Sequence, residues 1–477
     1  MPSRHVGVRA EIPDELVAGL AAIRAELEVP EDFPAEVLRA AEESVRRPCL
    51  PEQDRTDLAF ETIDPPRSRD LDQALFIERD GKAYRVYYAI ADVSAFVIPG
   101  DPVDVEAHRR GNTLYAPDRR TPLHPSVLSE GGASLLPDQV RPAFLWDLRV
   151  QPDGRCDDFE VTRALVRSRA QHSYDDVQVA LDSGTASESL KLLAEIGPLR
   201  EQMERDRGGV SLPVPEQEVD TSGDGGWTLK FRTPLPVEGW NAQLSLLTGM
   251  AAAQIMMYGQ VGILRTLPPA DHGSLRRLHQ TAKALKISWP AELDYPEFVR
   301  SLDPAVPRHA AMLNACTRLF RGAGYKAFSG GVPVDVEHSA LAVEYAHCTA
   351  PLRRLVDRYA LEICAALCAD QPIPEWVMQA LDALPDEQLD GERHANAYER
   401  AIIDLIEAYL LAPRVGQQFS GIVVDVDEKH STGQLVVEDT AVEAKIIGEH
   451  IPLGQEVAAT LTEAEPAKRL VRFALAR

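Results

Sequence analysis

Between Gly239 and Leu264 the chain runs for 26 residues without a charged side chain. A stretch of that length fits either a bilayer or the interior of a large domain. Asn241, Gln243, Ser245, Thr248, Gln254 and Gln260 are spread through it, so it reads as a buried core helix and not as a membrane span. Such a helix needs a large core around it. The chain has 477 residues, 45% apolar and 26% charged. That is globular composition with enough length for roughly two to four domains.

Charge is unevenly placed. The chain carries 50 Lys and Arg against 74 Asp and Glu, a formal net charge of −24. In bulk this argues against a binder of nucleic acid or of anionic membranes. Residues 1–60 carry net −6 and residues 361–477 net −12. Residues 300–360 hold 8 basic and 5 acidic side chains, a basic island of net +3. Six cysteines without a C-x-x-C pair point to neither a zinc site nor a disulfide scaffold. Cys364 and Cys368, four apart, read as core residues of one helix. Met1–Pro13 lacks the apolar core of a signal peptide. The expected compartment is the reducing cytoplasm.

The hydrophobic period changes along the chain. Leu16, Leu20 and Ile23, then Val37, Leu38 and Ala41, recur at helical spacing, with Pro13, Pro30 and Pro34 where helices begin. Phe60–Asp64 reads as a strand running into a loop, and Ala74–Glu78 and Tyr84–Asp92 as strands joined by an Asp80-Gly81 turn. Strands and loops continue to about Tyr174. Helical patterns dominate over 187–206 and 238–411. From Phe419 the period returns to two, with strands at Phe419–Val426, Gln434–Glu438, Glu443–Ile447, Glu456–Leu461 and Leu470–Leu475. Five short strands in about sixty residues predict a small closed barrel of OB type.

Three groups of residues point to chemistry. Asp64, Asp70 and Asp72 fall within nine residues at a strand-to-loop junction. Clustered carboxylates repel unless a cation sits among them, and Mg²⁺ takes oxygen ligands that it shares with phosphates. The same residues also suit an acidic solvated turn. Arg353 and Arg354 lie in the basic island just after Pro351, which suits a helix start and would place both forks beside backbone N–H groups that attract phosphate. The alternative is an Arg-rich surface helix paired with Asp357. Tyr115 and Tyr174 offer faces for stacking unpaired bases, or simply pack.

In this order these clusters resemble the RNB family of ribonucleases, the family of RNase II and RNase R, over roughly residues 56–412. Thr62-Ile63-Asp64 with Asp70-Leu71-Asp72 is similar to its metal-binding signature, and Ile90–Ser94, Tyr115-Ala116-Pro117 and Ser173–Gln178 to its next blocks. Thr349-Ala350-Pro351-Leu352-Arg353-Arg354 resembles its T-S-P-[IL]-R-[RK] motif, and Glu399-Arg400 its A-E-R element. Together with the helical spacing of residues 1–55, the resemblance predicts an α+β fold: a helical N-terminal segment (1–55), an RNB-type catalytic domain (56–412) and an OB-type RNA-binding barrel (413–477). It implies a monomeric, Mg²⁺-dependent 3′→5′ exoribonuclease, with Mn²⁺ as a substitute ion, that digests single-stranded RNA processively to nucleoside 5′-monophosphates. By position, Asp64, Asp70 and Asp72 hold metal and Arg353 grips the scissile phosphate with Arg354 beside it. Tyr115 stacks near the 3′ end, and Tyr174 and Glu399 contact RNA.

The sequence departs from that pattern at Gln73, where the family has a fourth Asp, and at Ala242-Gln243, where many members carry paired Glu. Ala350 and Leu355 replace the usual Ser and Tyr around the Arg pair. Residues 1–55 are helical where RNase II begins with two cold-shock barrels, so RNA is expected to enter over a different surface. Gln73 is expected as a weaker, neutral metal ligand. Two other functions stay open: an RNA-binding relative with reduced or lost catalysis, and a phosphodiesterase for short oligonucleotides. The N-terminal helices are a candidate surface for duplex RNA or a protein partner.

Overall fold

The computed structural model describes residues 6–8, 12–212, 216–221, 227–232, 234–304, 306–427, 430–437 and 442–476. Most of Met1–Pro13, read above for a signal peptide, lies outside the described residues, as does Glu438. The chain opens with β1 (Val6–Val8), α1 (Asp14–Glu26) and α2 (Ala35–Arg46). Leu16, Leu20, Ile23, Val37 and Ala41 are buried as their spacing predicts, whereas Leu38 faces out. Pro13 and Pro34 are the N-caps, and Pro30 begins no helix. The N-terminal segment is thus not wholly helical, because β1 adds a parallel edge to a strand some two hundred residues later.

Next come β2 (Phe60–Ile63), β3 (Gln73–Asp80), β4 (Ala83–Ala91), α3 (Pro102–Arg110), β5 (Leu114–Tyr115), β6 (Arg120–Thr121), β7 (Val140–Val150) and β8 (Cys156–His172). Asp80 pairs with Ala83, and Gly81 takes the positive φ of +63° that the tight turn needs. Strands β2, β3, β4, β7 and β8 close into a barrel, β2 lying parallel to β8 with Ile63 opposite His172. Along β4, Tyr84, Val86, Tyr88 and Ile90 join one core while Tyr87, Ala89 and Ala91 join another, so both faces of the strand are covered.

Helices α4 (Tyr174–Asp182) and α5 (Glu188–Asp206) follow, then β9 (Glu216–Thr221) and β10 (Trp227–Arg232), which complete a small sheet with β1. The uncharged stretch is not one helix. It divides into α6 (Pro236–Gly259) and β11 (Val261–Thr266), which pairs with β12 (Gly324–Ser329). Gln260 turns left-handed at φ +54° after Gly259, and the Val-Gly-Ile-Leu run that follows suits a buried strand. No described helix is long and apolar enough to cross a membrane.

The remaining elements are α7 (His272–Ala284), α8 (Tyr295–Arg300), α9 (Pro307–Cys316), β13 (Glu337–His338), β14 (Val343–Glu344), α10 (Leu355–Cys368), α11 (Glu375–Ala380) and α12 (Leu384–Leu411). On α10, Cys364 is core but Cys368 is exposed, so only one of the pair faces inward. Gly249 of α6 lets the chain before α10 lie directly on the helix. A Cβ there would stand 2.1 Å from Tyr345 Cε2, closer than van der Waals contact permits.

The C-terminal barrel forms from β15 (Gln418–Asp427), β16 (Thr432–Val437), β17 (Glu443–Ile447), β18 (Glu456–Glu465) and β19 (Leu470–Leu475), closed in the order β15-β16-β17-β19-β18. Phe419, Val423, Leu435, Ile446, Leu461 and Phe473 fill it.

Candidate active site

The chain leaving β2 crosses the end of the first barrel and re-enters at β3, and the crossing carries all three aspartates. It is anchored where the Asp64 N–H donates to the His172 carbonyl (3.1 Å) and the Ala91 N–H donates to the Asp72 carbonyl (2.9 Å). The Asp72 side chain is buried. Its Oδ1 accepts the Leu352 N–H at 2.8 Å, and its Oδ2 lies 3.5 Å from Arg353 Nε. Asp64 Oδ2 is buried with no hydrogen-bond partner among the described residues. Asp70 pairs with Arg120 Nη1, whose Nη2 also reaches Glu130 at 2.8 Å.

Burial, then the neighbouring Asp70 charge, pushes the Asp64 carboxyl up to about 7, with Arg353 opposing. Burial pushes Asp72 up to about 8 against the pull of Arg353 and the Leu352 N–H. Both groups hold protons more tightly when folded than in the unfolded chain, near 3.8. Their stabilising contribution is therefore full below about pH 4 and is lost as pH rises through 7 and 8. With divalent ions chelated, the melting temperature is expected to fall by on the order of 5 °C between pH 5.5 and 8.5. Asp64→Asn with Asp72→Asn should flatten that slope in a thermal melt, and an unchanged slope contradicts the shared cause.

The segment with Arg353 and Arg354 is not the first turn of a helix. Residues 351–353 form a turn, Arg354 is the N-cap, and α10 begins at Leu355. Asp357 causes this. Its Oδ1 accepts the Ala350 N–H (2.7 Å) and Arg354 Nη2 (2.8 Å), folding the segment back on the helix start. Arg354 is thereby turned inward. Arg353 points the other way and stays 46% exposed. Its charge acts on Asp64, Asp72, Tyr115 and Tyr174. Tyr115 sits on β5, exposed, opposite Arg120 on β6. Tyr174 begins α4, and its hydroxyl accepts Asn241 Nδ2 at 3.3 Å. Glu399 is half-buried on α12, next to the buried Tyr398.

Gln73 is not placed as a ligand. Its Nε2 donates to the Thr349 carbonyl (2.7 Å), and its Oε1 accepts the hydroxyls of Tyr88 and Ser245, the latter at 3.1 Å. Both ends of the amide are used, so Gln73 ties the aspartate loop to the arginine segment. Gln243 also points away, donating to Glu204 at 2.6 Å. These roles, like that of Arg120, depend on partners distant in sequence; Gln73 and Gln243 were marked only as departures from the family pattern, and nothing marked Arg120.

The donor set suits a divalent cation, with hard carboxylate oxygens, one of them a buried acceptor lacking a donor. Among the described residues, no three His, Cys, Asp or Glu side chains already close round one point.

The N-terminal helices bear on this site. Leu114 and Ala116 pack with Leu16, Leu20 and Ile23 of α1. Arg24 makes a two-pronged pair with Asp118 (3.0 and 2.9 Å), both nearly buried, and Arg119 reaches Glu31 at 3.3 Å. The apolar face of α1 is thus spent on the β5–β6 hairpin and on α12. Arg24→Ala strands the Asp118 carboxylate and is expected to cost about 3 kcal/mol in urea unfolding. A change below about 0.5 kcal/mol would show the pair to be incidental.

A two-barrel fold with carboxylates and an arginine meeting at the rim of the first barrel defines the class. The RNB domain matches residues 52–369, and the RNase II-type exonuclease C-terminal S1 domain matches residues 417–476. The chain belongs to the RNB-domain family. It is 28% identical over 416 residues to ribonuclease R of Aquifex aeolicus, covering 83% of this chain and 56% of that protein. With exosome complex exonuclease RRP44 homolog A of Arabidopsis thaliana it shares 27% over 374 residues, covering 74% of this chain and 39% of that protein. The chain therefore spans about half the length, or less, of these relatives. Its fold is similar to Mycoplasma genitalium RNase R in complex with ribose methylated single-stranded RNA (TM-score 0.84, 21% identity, 97% of this chain and 78% of that one). It is also similar to yeast Ssd1, a pseudonuclease (TM-score 0.70, 16% identity, 93% and 57%).

Proposed function

We propose that the chain is a 3′→5′ exoribonuclease that hydrolyses single-stranded RNA processively to nucleoside 5′-monophosphates with Mg²⁺ or Mn²⁺. The observation that carries the reading is the convergence on Arg353: loops separated by about 280 residues put this cation 3.5 Å from Asp72, and its charge reaches Asp64, Tyr115 and Tyr174. Asp64, Asp70 and Asp72 would hold the metal, which when bound would polarise the phosphodiester and lower the pKa of an attacking water. Arg353 grips the phosphate at the reacting end with a fork that matches its oxygens. Tyr115 stacks on the terminal base, and Tyr174 lies along the same strand of RNA. Arg354 acts by shaping the Arg353 turn. Glu399 is assigned to the RNA backbone by resemblance alone. The proposed division stays at 1–55, 56–412 and 413–477, with the family's ribonuclease chemistry in the middle unit. The acidic total is no obstacle, since a narrow channel lined by Arg binds RNA while the outside stays negative.

Linear single-stranded RNA should yield mononucleotides, while a circle of the same sequence stays intact. Cleavage of the circle would mean an endonuclease. A second reading, RNA binding without hydrolysis, is favoured by Gln73 being tied as a strut between the aspartate loop and the arginine segment. It predicts a gel shift that weakens steeply with salt and no product from either RNA.

A further inference from the structure

Asp70 is already engaged within the protein. Its Oδ1 pairs with Arg120 Nη1, and the second arm of the same guanidinium holds Glu130 Oε1 at 2.8 Å. Arg120 is fixed from the other side by the β5–β6 hairpin, where it stands opposite Tyr115. Glu130 is itself steadied by the Ser126 hydroxyl at 3.1 Å. The pair is partly sheltered, with Arg120 26% and Asp70 13% exposed, so water screens it incompletely. Among the described residues, Asp64 and Asp72 have no comparable partner. Asp64 Oδ2 lacks a donor, and Asp72 sees Arg353 only at 3.5 Å. Among the described residues, these three carboxylates do not surround a single point.

We infer that Arg120 is a resident counter-ion of Asp70 that a divalent cation must displace, with Glu130 as the carboxylate that keeps Arg120 when Asp70 leaves it. The inference rests on the reading of the aspartates as metal ligands. Charge stays balanced through the exchange. The metal takes over neutralisation of Asp70, and Arg120 keeps a carboxylate partner at Glu130, so no charge is left unpaired in a partly buried place. Arg120 is thus a positioning residue that sets how much metal the site demands. Removing Arg120 frees Asp70 and tightens metal binding. Removing the charge on Glu130 leaves Arg120 with Asp70 alone and loosens it.

Direct Mn²⁺ binding to the full chain without RNA, read from the loss of the free-ion electron paramagnetic resonance signal, tests this. Arg120→Gln should lower the Mn²⁺ concentration for half-occupancy about fivefold or more, and Glu130→Gln should raise it. Asp72→Asn is the control on the metal reading and should abolish the tight site. If Asp72→Asn abolishes binding but Arg120→Gln leaves it unchanged or weaker, the counter-ion role is wrong and the metal site stands. If none of the four proteins binds Mn²⁺, both readings are overturned. A merely structural Arg120 would not give opposite shifts in the two variants while circular dichroism stays that of the parent.

Discussion

Asp72→Asn should end nucleotide release from 5′-labelled single-stranded RNA, by on the order of 10³-fold or more, while leaving the RNA gel shift in place. Its neighbours make the substitution selective. Asn keeps the shape of Asp and keeps an oxygen to accept the Leu352 N–H, so the tie between the aspartate loop and the arginine segment survives. What it loses is the charge, and with it a metal ligand. When residues act as one unit, removing one member costs nearly the whole effect. The fold should tolerate the change, because Asp72 is a buried carboxyl that burial pushes up to about 8, and a neutral amide avoids the cost of ionising it. With Mg²⁺, the parent protein should convert the labelled RNA to one short product without a ladder. The length of that product reports how deeply the Tyr115 side holds the end. A mutant that digests as fast as the parent refutes the carboxylate chemistry. A parent that shifts RNA and never cleaves it places the chain with the binding reading.

The parts of this molecule legible in the sequence are those whose determinants are local. In the C-terminal barrel β15, β16 and β17 alternate on their own, as the buried Phe419, Leu435 and Ile446 show, and all five strands were readable with bounds within a few residues. In the first barrel β2, β3 and β4 were readable within two residues of their bounds, whereas β7 and β8 ran together as mixed strands and loops, β7 being so largely covered on both faces that the alternation marking a half-exposed strand disappears. The uncharged stretch correctly demanded an interior, but freedom from charge does not separate a buried helix from the buried strand after it. In the site, Asp64, Asp70, Asp72 and Arg353 were visible as types and spacings. Pro351 suggested a helix start, yet Asp357 captures the Ala350 N–H and delays the helix to Leu355. Gln73, Arg120 and Arg24 take their meaning from Thr349, Asp70 and Asp118. Pairings across 276, 50 and 94 positions leave no periodic trace.

The adjacent arginines should fail in opposite ways. Arg354→Ala removes the partner of Asp357, whose side chain is fully buried and also holds the Ala350 N–H. A buried charge left without its partner costs about 3–5 kcal/mol. The loss should appear as a large drop in melting temperature, with activity falling only as folded protein is lost. Arg354→Lys should recover little, because a point charge cannot reproduce the two-armed contact. Arg353→Ala should leave the melt within about 0.5 kcal/mol of the parent. The backbone of Arg353 does the structural work, its carbonyl accepting the Thr113 N–H at 2.9 Å, and the side chain is 46% exposed with only a long pair to Asp72. Its loss should cut turnover by roughly 10²–10³-fold, the scale for one well-placed charge stabiliser. The measurement is a melt and an initial rate on each variant. A stable, inactive Arg354→Ala beside an unfolded Arg353→Ala would reverse the roles. The phosphate grip would then belong to the inward-facing arginine, and the convergence on Arg353 that carries the nuclease reading would have to be reassigned.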